Sequence, residues 1–252
     1  MQRAMIDAFG RVKQRLVNDP ISLWRPMLCD AAFLFSLGFI GGALTQRIEV
    51  LLMSAGASIA RGSQRETLGF ALNAEQQGVL LTAAGLQLTY FLVVYILFSF
   101  FTGLGWHWAV QKISVTNYLK RFFLINLVLL LPYIFFDGIG FYRDFLVLSM
   151  ADARLWTLLY WLYGILLLMV AVIASVFVRW QPWSLALKSA LQHLRMLHVW
   201  RVAIIILSGF VLIEIVTRLL LLVSHQLAVV VGFGLLFPYL ALTRLFVVEV
   251  FS

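Results

Sequence analysis

The sequence is poor in charged residues and in cysteine. Only 12% of its 252 residues are Asp, Glu, Lys or Arg, whereas an ordinary soluble domain carries about 25%. A water-soluble protein of this length needs a larger charged exterior than 19 basic and 11 acidic side chains can supply, so we exclude a soluble globule. Cys29 is the single cysteine, which excludes an intramolecular disulfide, a cysteine metal cluster and a thiol relay.

Signatures of catalysis and of metal binding are also missing from the sequence. It has no HExxH, no G-x-S-x-G, no glycine-rich phosphate loop and no paired aspartates of the kind that hold a divalent metal. A transmembrane haem or zinc site needs two or more histidines inside the bundle. All four histidines are predicted at interfaces instead: His107, His193, His198 and His225. We therefore expect no catalytic residue, no cofactor and no metal, and a protein that is not an enzyme.

The sequence is correspondingly rich in apolar residues. They account for 63% of the sequence, and its mean hydropathy is +0.97. Windows of about 20 apolar residues predict an all-α polytopic protein with one membrane domain over 1–252 and six transmembrane helices. The predicted spans are 27–45, 79–101, 119–136, 155–178, 200–223 and 226–248.

The distribution of Lys and Arg predicts the orientation of these spans. Basic residues are more numerous in the segments before the first span, between the second and third, and between the fourth and fifth. Cytoplasmic loops carry such an excess, so both termini are predicted to be cytoplasmic. The net charge of +8 is then a signal of topology, and we do not expect nucleic-acid binding.

Three of the basic segments are predicted to form amphipathic helices in the headgroup region, over about 2–17, 105–117 and 183–198. Each leads into a span that opens beside an aromatic–arginine or lysine–arginine pair: Trp24-Arg25, Lys120-Arg121 and Trp200-Arg201. This spacing is typical of a threefold repeat of helix hairpins related by an axis along the membrane normal. The alternative is that interfacial Trp, Lys and Arg recur for topological reasons alone.

The first predicted outer loop, roughly 46–78, is the only long polar connection. An unbroken helix from Met27 to Ala60 would measure about 51 Å, which exceeds the thickness of a bilayer. We therefore expect a bend or a helix end near Thr45-Gln46-Arg47.

Four ionisable residues at membrane depth are candidate functional residues, because burying charge in a bilayer is costly. They are Asp30, Glu214, Arg218 and Arg244. Glu214 and Arg218 are four residues apart on one helix face, so they either serve an ion, proton or headgroup-binding step or neutralise each other inside the bundle. Asp30 is predicted to pair with Arg25 or with Arg244, and a structural role is favoured for either pair.

Part of the sequence resembles a group of poorly characterised six-span membrane proteins. The segment FVRWQPWSLALKSALQHLRMLHVWRVAIIILSGF, Phe177 to Phe210, resembles the central stretch of YciC-like proteins. It is similar also to the membrane domain beside some glycerophosphodiester phosphodiesterases and to small archaeal six-span proteins. YLKRFFLINLVLLLPY, Tyr118 to Tyr133, and LTRLFVVEV, Leu242 to Val250, match the same pattern. The resemblance implies six spans with cytoplasmic amphipathic linkers and supplies no catalytic residue.

These observations predict a multi-pass, non-enzymatic protein of a prokaryotic plasma membrane. We expect a role in envelope integrity, in lipid organisation or as an accessory subunit. Its expected partners are membrane lipids, another membrane protein or further copies of the chain. The alternative is a small transporter or channel that uses Glu214 and Arg218.

Overall fold

The computed structural model describes residues 2–63, 74–110, 113–129 and 150–251, and within these ranges the chain is all-α. The helices are α1 (Gln2–Asn18), α2 (Ile21–Ser36), α3 (Gly42–Ser63), α4 (Ala74–Leu97), α5 (Gly103–Val110), α6 (described over 115–129), α7 (Met150–Phe177), α8 (Trp183–His193), α9 (Leu197–Leu221) and α10 (His225–Val250). Two π-helical turns, Leu37–Gly41 and Phe98–Thr102, join α2 to α3 and α4 to α5.

Four stretches of helix in the described ranges are long and apolar enough to cross a membrane, which indicates a multi-pass membrane protein. They are Ile21–Leu51, Leu81–Val110, Val199–Leu221 and His225–Val250, and they cover the first, second, fifth and sixth predicted spans. Of the third predicted span, 119–129 is helical and 130–136 lies outside the described residues. The fourth falls in α7, a helix of 28 residues that includes the apolar stretch Leu162–Phe177. The count of six stays a prediction.

The first long helix differs from the expectation of an end at Thr45-Gln46-Arg47. Helix continues from Ile21 to Ser63, and its irregularity is the π turn at Leu37–Gly41. The hydroxyl of Thr45 donates a hydrogen bond to the carbonyl oxygen of Gly41, 3.0 Å away, so it bonds within the helix and does not end it. Helix therefore continues through the polar residues 45–47, as part of α3.

The interfacial helices agree with the structure at two of their three predicted places. α1 coincides with the helix predicted over 2–17, and α8 covers most of 183–198. The helix predicted over 105–117 differs, because 103–110 continue the preceding span and helix resumes at 115. Trp106 and Val110, which fall within that predicted helix, are buried in protein.

The chain forms two compact units, Met1–Ala31 with Ser99–Ser252, and Ala32–Phe98. In the second unit α3 packs against α4. In the first, α10 packs against α1, α5, α7 and α9, and α8 packs against α7. The core of the first unit includes Tyr118, Phe122, Ile125, Val176, Leu245 and Val247, all with almost no exposed surface. α10 is thus the central helix of the first unit, in contact with four of its other helices.

Candidate functional site

A buried ion pair joins the first and the last long helices. Arg244 on α10 donates two parallel hydrogen bonds to the carboxylate of Asp30 on α2, from Nη1 to Oδ2 over 2.6 Å and from Nη2 to Oδ1 over 2.5 Å. Asp30 is 4% exposed and Arg244 6% exposed. This fork geometry is the strongest form of a carboxylate–guanidinium interaction. Two of the four candidate residues are therefore brought together, across 214 positions of sequence.

Helix α5 closes over this pair through a glycine. A Cβ atom built on Gly105 would lie 2.6 Å from Nη1 of Arg244, so only a residue without a side chain lets α5 approach so closely. The ring of Trp106 lies beside the same guanidinium, with its centroid 5.8 Å from Cζ. Gly105 could not be singled out from the sequence, because its role depends on a helix far along the chain.

Arg25, the other partner considered for Asp30, is placed elsewhere. Its guanidinium lies over the ring of Trp108, with Cζ 4.2 Å from the ring centroid. A cation over an indole face is favourable in itself, and Arg25 therefore reinforces the contact of α2 with α5. The structure selects Arg244 as the partner of Asp30.

A second buried polar group lies where α6 meets the end of α7. The hydroxyl of Tyr118 donates a hydrogen bond to the carbonyl oxygen of Ser175 over 2.7 Å. Nη1 of Arg121 donates to the carbonyl oxygens of Val178 and Gln181, each at 3.0 Å. Carbonyls at a helix end lack partners within the helix, so these donors satisfy groups that are otherwise unbonded. A further buried hydrogen bond joins α6 to the turn between α4 and α5: the amide of Asn126 donates to the hydroxyl of Ser99 over 3.1 Å.

Arg179 lies in the turn after α7 and is 4% exposed. Its guanidinium stacks on Trp180, with Cζ 3.4 Å from the ring centroid. Within the described residues its Nε and Nη2 atoms have no hydrogen-bond partner. Burial lowers the pKa of Arg179, and the negative charge of Glu249 opposes that shift. Arginine remains protonated even so, and this corner of the protein therefore keeps a positive charge.

Glu214 and Arg218 form the ion pair that their spacing predicts, but on the outside of α9. Nε of Arg218 lies 2.7 Å from Oε1 of Glu214, and the side chains are 76% and 60% exposed. Both side chains are thus exposed in the part of the chain that the structure describes, and whether the pair is functional or structural stays a prediction. The pair lies on α9 alone, apart from the Asp30–Arg244 pair of α2 and α10.

The exposure of this pair predicts a small effect on stability. We expect Glu214→Gln and Arg218→Gln each to change the free energy of unfolding in mild detergent by about 0.5 kcal/mol or less. Arg218 lies three residues before the end of α9, so its long side chain can hold the pair at the hydrated headgroup level, where exposed i,i+4 pairs contribute little. Unfolding followed by tryptophan fluorescence measures both, together with the double variant. A large loss in either single variant that the double variant restores would contradict this, and would place the pair against another part of the protein.

The basic helix α1 is fastened to the end of α10. Arg11 donates from Nε to a carboxylate oxygen of Glu249 over 2.9 Å and from Nη2 to its backbone carbonyl over 2.8 Å. Arg15, one turn later, lies 3.9 Å from the same carboxylate. The rings of Phe9 and Phe246 stack with centroids 4.5 Å apart. The i,i+4 spacing of the two arginines was visible in the sequence, but their acceptor was not.

Two cavities adjoin α10. A narrow apolar cavity of about 100 Å³ lies between α7, α9 and α10, and its walls include Met169, Ile173, Val202, Ile206, Phe210 and Phe251. A larger crevice of about 410 Å³ lies between α1 and α10. None of the four candidate residues lines either cavity. In the described ranges no group of three or more His, Cys, Asp or Glu side chains is placed to hold a metal ion.

Comparison of the chain with family models, curated proteins and solved structures gives no match. The resemblance to six-span membrane families therefore rests on the quoted segments alone.

Proposed function

We propose that this chain is a non-enzymatic plasma-membrane protein that organises anionic phospholipids at the cytoplasmic face of a prokaryotic membrane. One observation carries the proposal: a basic amphipathic helix, α1, is held by two arginines and a stacked phenylalanine at the end of a membrane-length helix, α10. A soluble tail would not need to be fixed there. A helix that works in the headgroup plane gains from a fixed position.

The exposed side of α1, which includes residues that border the crevice beside α10, has the composition of a membrane-surface helix. Ile6 is 64% exposed and Val17 74% exposed, and both lie on the same side of the helix as Lys13. Apolar residues so exposed would be unfavourable in water, whereas the boundary between headgroups and acyl chains accepts them together with a lysine. α8 adds a second exposed lysine, Lys188, close to the start of α9.

Electrostatics supplies the preference for anionic lipids. A Lys or Arg near an anionic membrane surface contributes about 1 kcal/mol of attraction. The excess of such residues lies in the segments predicted to be cytoplasmic, and both termini belong to that side in this proposal. Six spans, and a relation to the families that the sequence resembles, are parts of the same proposal.

Lipid composition around the purified protein tests this function. We expect the chain, reconstituted in nanodiscs of equal phosphatidylglycerol and phosphatidylcholine and released into mild detergent, to retain phosphatidylglycerol at least threefold over phosphatidylcholine by native mass spectrometry. A triple variant, Lys13→Gln, Lys188→Gln and Arg195→Gln, should lose most of that preference, because each exposed cation contributes to it.

The matched control removes polar side chains from the same two helices without changing charge. Gln14→Ala with Gln192→Ala, both exposed, should retain lipids as the unmodified chain does. Equal retention of the two lipids by the unmodified protein would refute the proposed function.

The alternative of a transporter or channel centred on Glu214 and Arg218 gains no support from the described geometry. A transport site is expected to line a water-accessible path through the bundle. These two side chains are exposed on one helix and line neither cavity.

A further inference from the structure

The crevice between α1 and α10 is an open space of about 410 Å³ with apolar walls. An apolar cavity of about 150 Å³ already accepts benzene, so this space is ample for a stretch of hydrocarbon chain. Phe9, Leu16 and Val17 form its wall on α1, and Leu242 and Phe246 form its wall on α10. Val17 and Leu242 are also partly exposed, so the crevice opens toward the surroundings of the bundle.

One charged residue, Lys13, stands among the residues that line this crevice. The neighbouring cations of α1 are already engaged, because Arg11 and Arg15 both face Glu249. Lys13 makes no ion pair with any residue in the described ranges. An apolar crevice with one cation at its rim matches a molecule that has an anionic head and a hydrocarbon tail.

The depth of the crevice agrees with one leaflet of a bilayer. Leu242 lies eight residues before the end of α10 at Val250, which is about 12 Å along the helix axis. Half of the hydrocarbon core of a bilayer is about 15 Å thick. A chain in the crevice would thus lie at the level of the acyl chains of the same leaflet, with its head near the helix end.

We infer that the crevice binds one anionic phospholipid, with an acyl chain between α1 and α10 and the phosphate at Lys13. This inference rests on the proposed function and names the site and the ligand that the function uses. A soluble anion would not need the phenylalanine and leucine walls, and a neutral lipid would not need the lysine. The pairing of both features selects the anionic lipid.

Binding of phosphatidylglycerol to the full chain in detergent, titrated by native mass spectrometry, tests the site. We expect Lys13→Gln to weaken the first bound phosphatidylglycerol about fivefold and to leave phosphatidylcholine unchanged. Lys13→Arg should bind within about twofold of the unmodified chain because it keeps the charge. Leu242→Trp, which fills the crevice, should weaken the first binding event by at least as much as Lys13→Gln.

The control is Lys120→Gln, an exposed lysine on α6 that does not line the crevice. It should bind phosphatidylglycerol as the unmodified chain does. An equal loss from Lys13→Gln and Lys120→Gln, or full binding by Leu242→Trp, would overturn the site but leave the proposed function standing. Displacement of the bound lipid by millimolar inorganic phosphate would also overturn the site, because the headgroup alone would then account for binding. Absence of any preference for phosphatidylglycerol in the unmodified chain would instead refute the function.

Discussion

Replacing Asp30 with Asn is expected to lower the free energy of unfolding by about 3–5 kcal/mol, the loss typical when one partner of a buried ion pair is removed. The variant leaves the guanidinium of Arg244 buried without a counter-charge, at 6% exposure and beneath Trp106. Arg244→Gln should have an effect of similar size, because it leaves the carboxylate of Asp30 buried alone. Retention of folded, monodisperse protein during a titration with denaturing detergent measures both.

A double-mutant cycle separates the pair from the packing around it. Asp30→Asn combined with Arg244→Gln removes both charges and should recover at least half of what either single variant loses. Glu214→Gln is the matched control, since it removes a charge from an exposed pair and should cost little. Additive losses in the double variant would show that the two side chains do not act on each other.

Gly105→Ala is expected to destabilise the first unit strongly for the addition of a single methyl group. The added Cβ would lie 2.6 Å from Nη1 and 3.1 Å from Cζ of Arg244. A flexible side chain usually gives way at small cost, but this guanidinium is held at both nitrogens by Asp30. We expect a loss of about 2–3 kcal/mol in the free energy of unfolding, from overpacking and from strain on the ion pair.

The control for this prediction is a glycine whose replacement by alanine should raise the free energy of unfolding. Gly234 lies within α10 and has open space where a Cβ would be, so Gly234→Ala should stabilise the helix by roughly 0.5–1 kcal/mol. In the Asp30→Asn background the cost of Gly105→Ala should shrink, because Arg244 is then free to move. An unchanged cost in that background would mean that the glycine is needed for some contact other than the arginine.

Both predictions concern the contact that fixes α2 and α5 to α10. The same helix also receives α1 through Glu249 and Phe246. α10 therefore positions both the buried ion pair and the surface helix from which the proposed lipid binding starts. Loss of the ion pair should therefore also impair lipid retention, through loss of the folded unit and not through loss of a lipid contact.

Features that depend on neighbouring residues of one helix could be predicted from the sequence. The apolar windows predicted six spans, four of which coincide with helices of membrane length, and the polar–apolar pattern of 2–17 predicted α1. The four-residue spacing of Glu214 and Arg218 predicted their ion pair, which forms with 2.7 Å between the charged atoms. Each of these follows from the fixed rise and turn of an α-helix, which sets the distance between residues of known spacing without any other part of the protein.

The contacts between helices could not be predicted in the same way. The sequence left Asp30 a choice between Arg25 and Arg244, offered no reason to notice Gly105, and did not indicate that Glu214 is exposed on α9. The sequence also did not indicate that Glu249, more than 230 positions later, is the partner of Arg11 and Arg15.

The physical reason is that hydropathy and periodicity determine which residues form a helix, but not how that helix is rotated about its axis against its neighbours. That rotation is decided by close packing and by where a buried charge can find its counter-charge, and both depend on residues more than 200 positions apart. The sequence by itself therefore determined the helices and their apolar character. Only the tertiary structure decided that Arg244 neutralises Asp30 beneath a glycine, and that α1 is held against α10 with Lys13 at the rim of an apolar crevice.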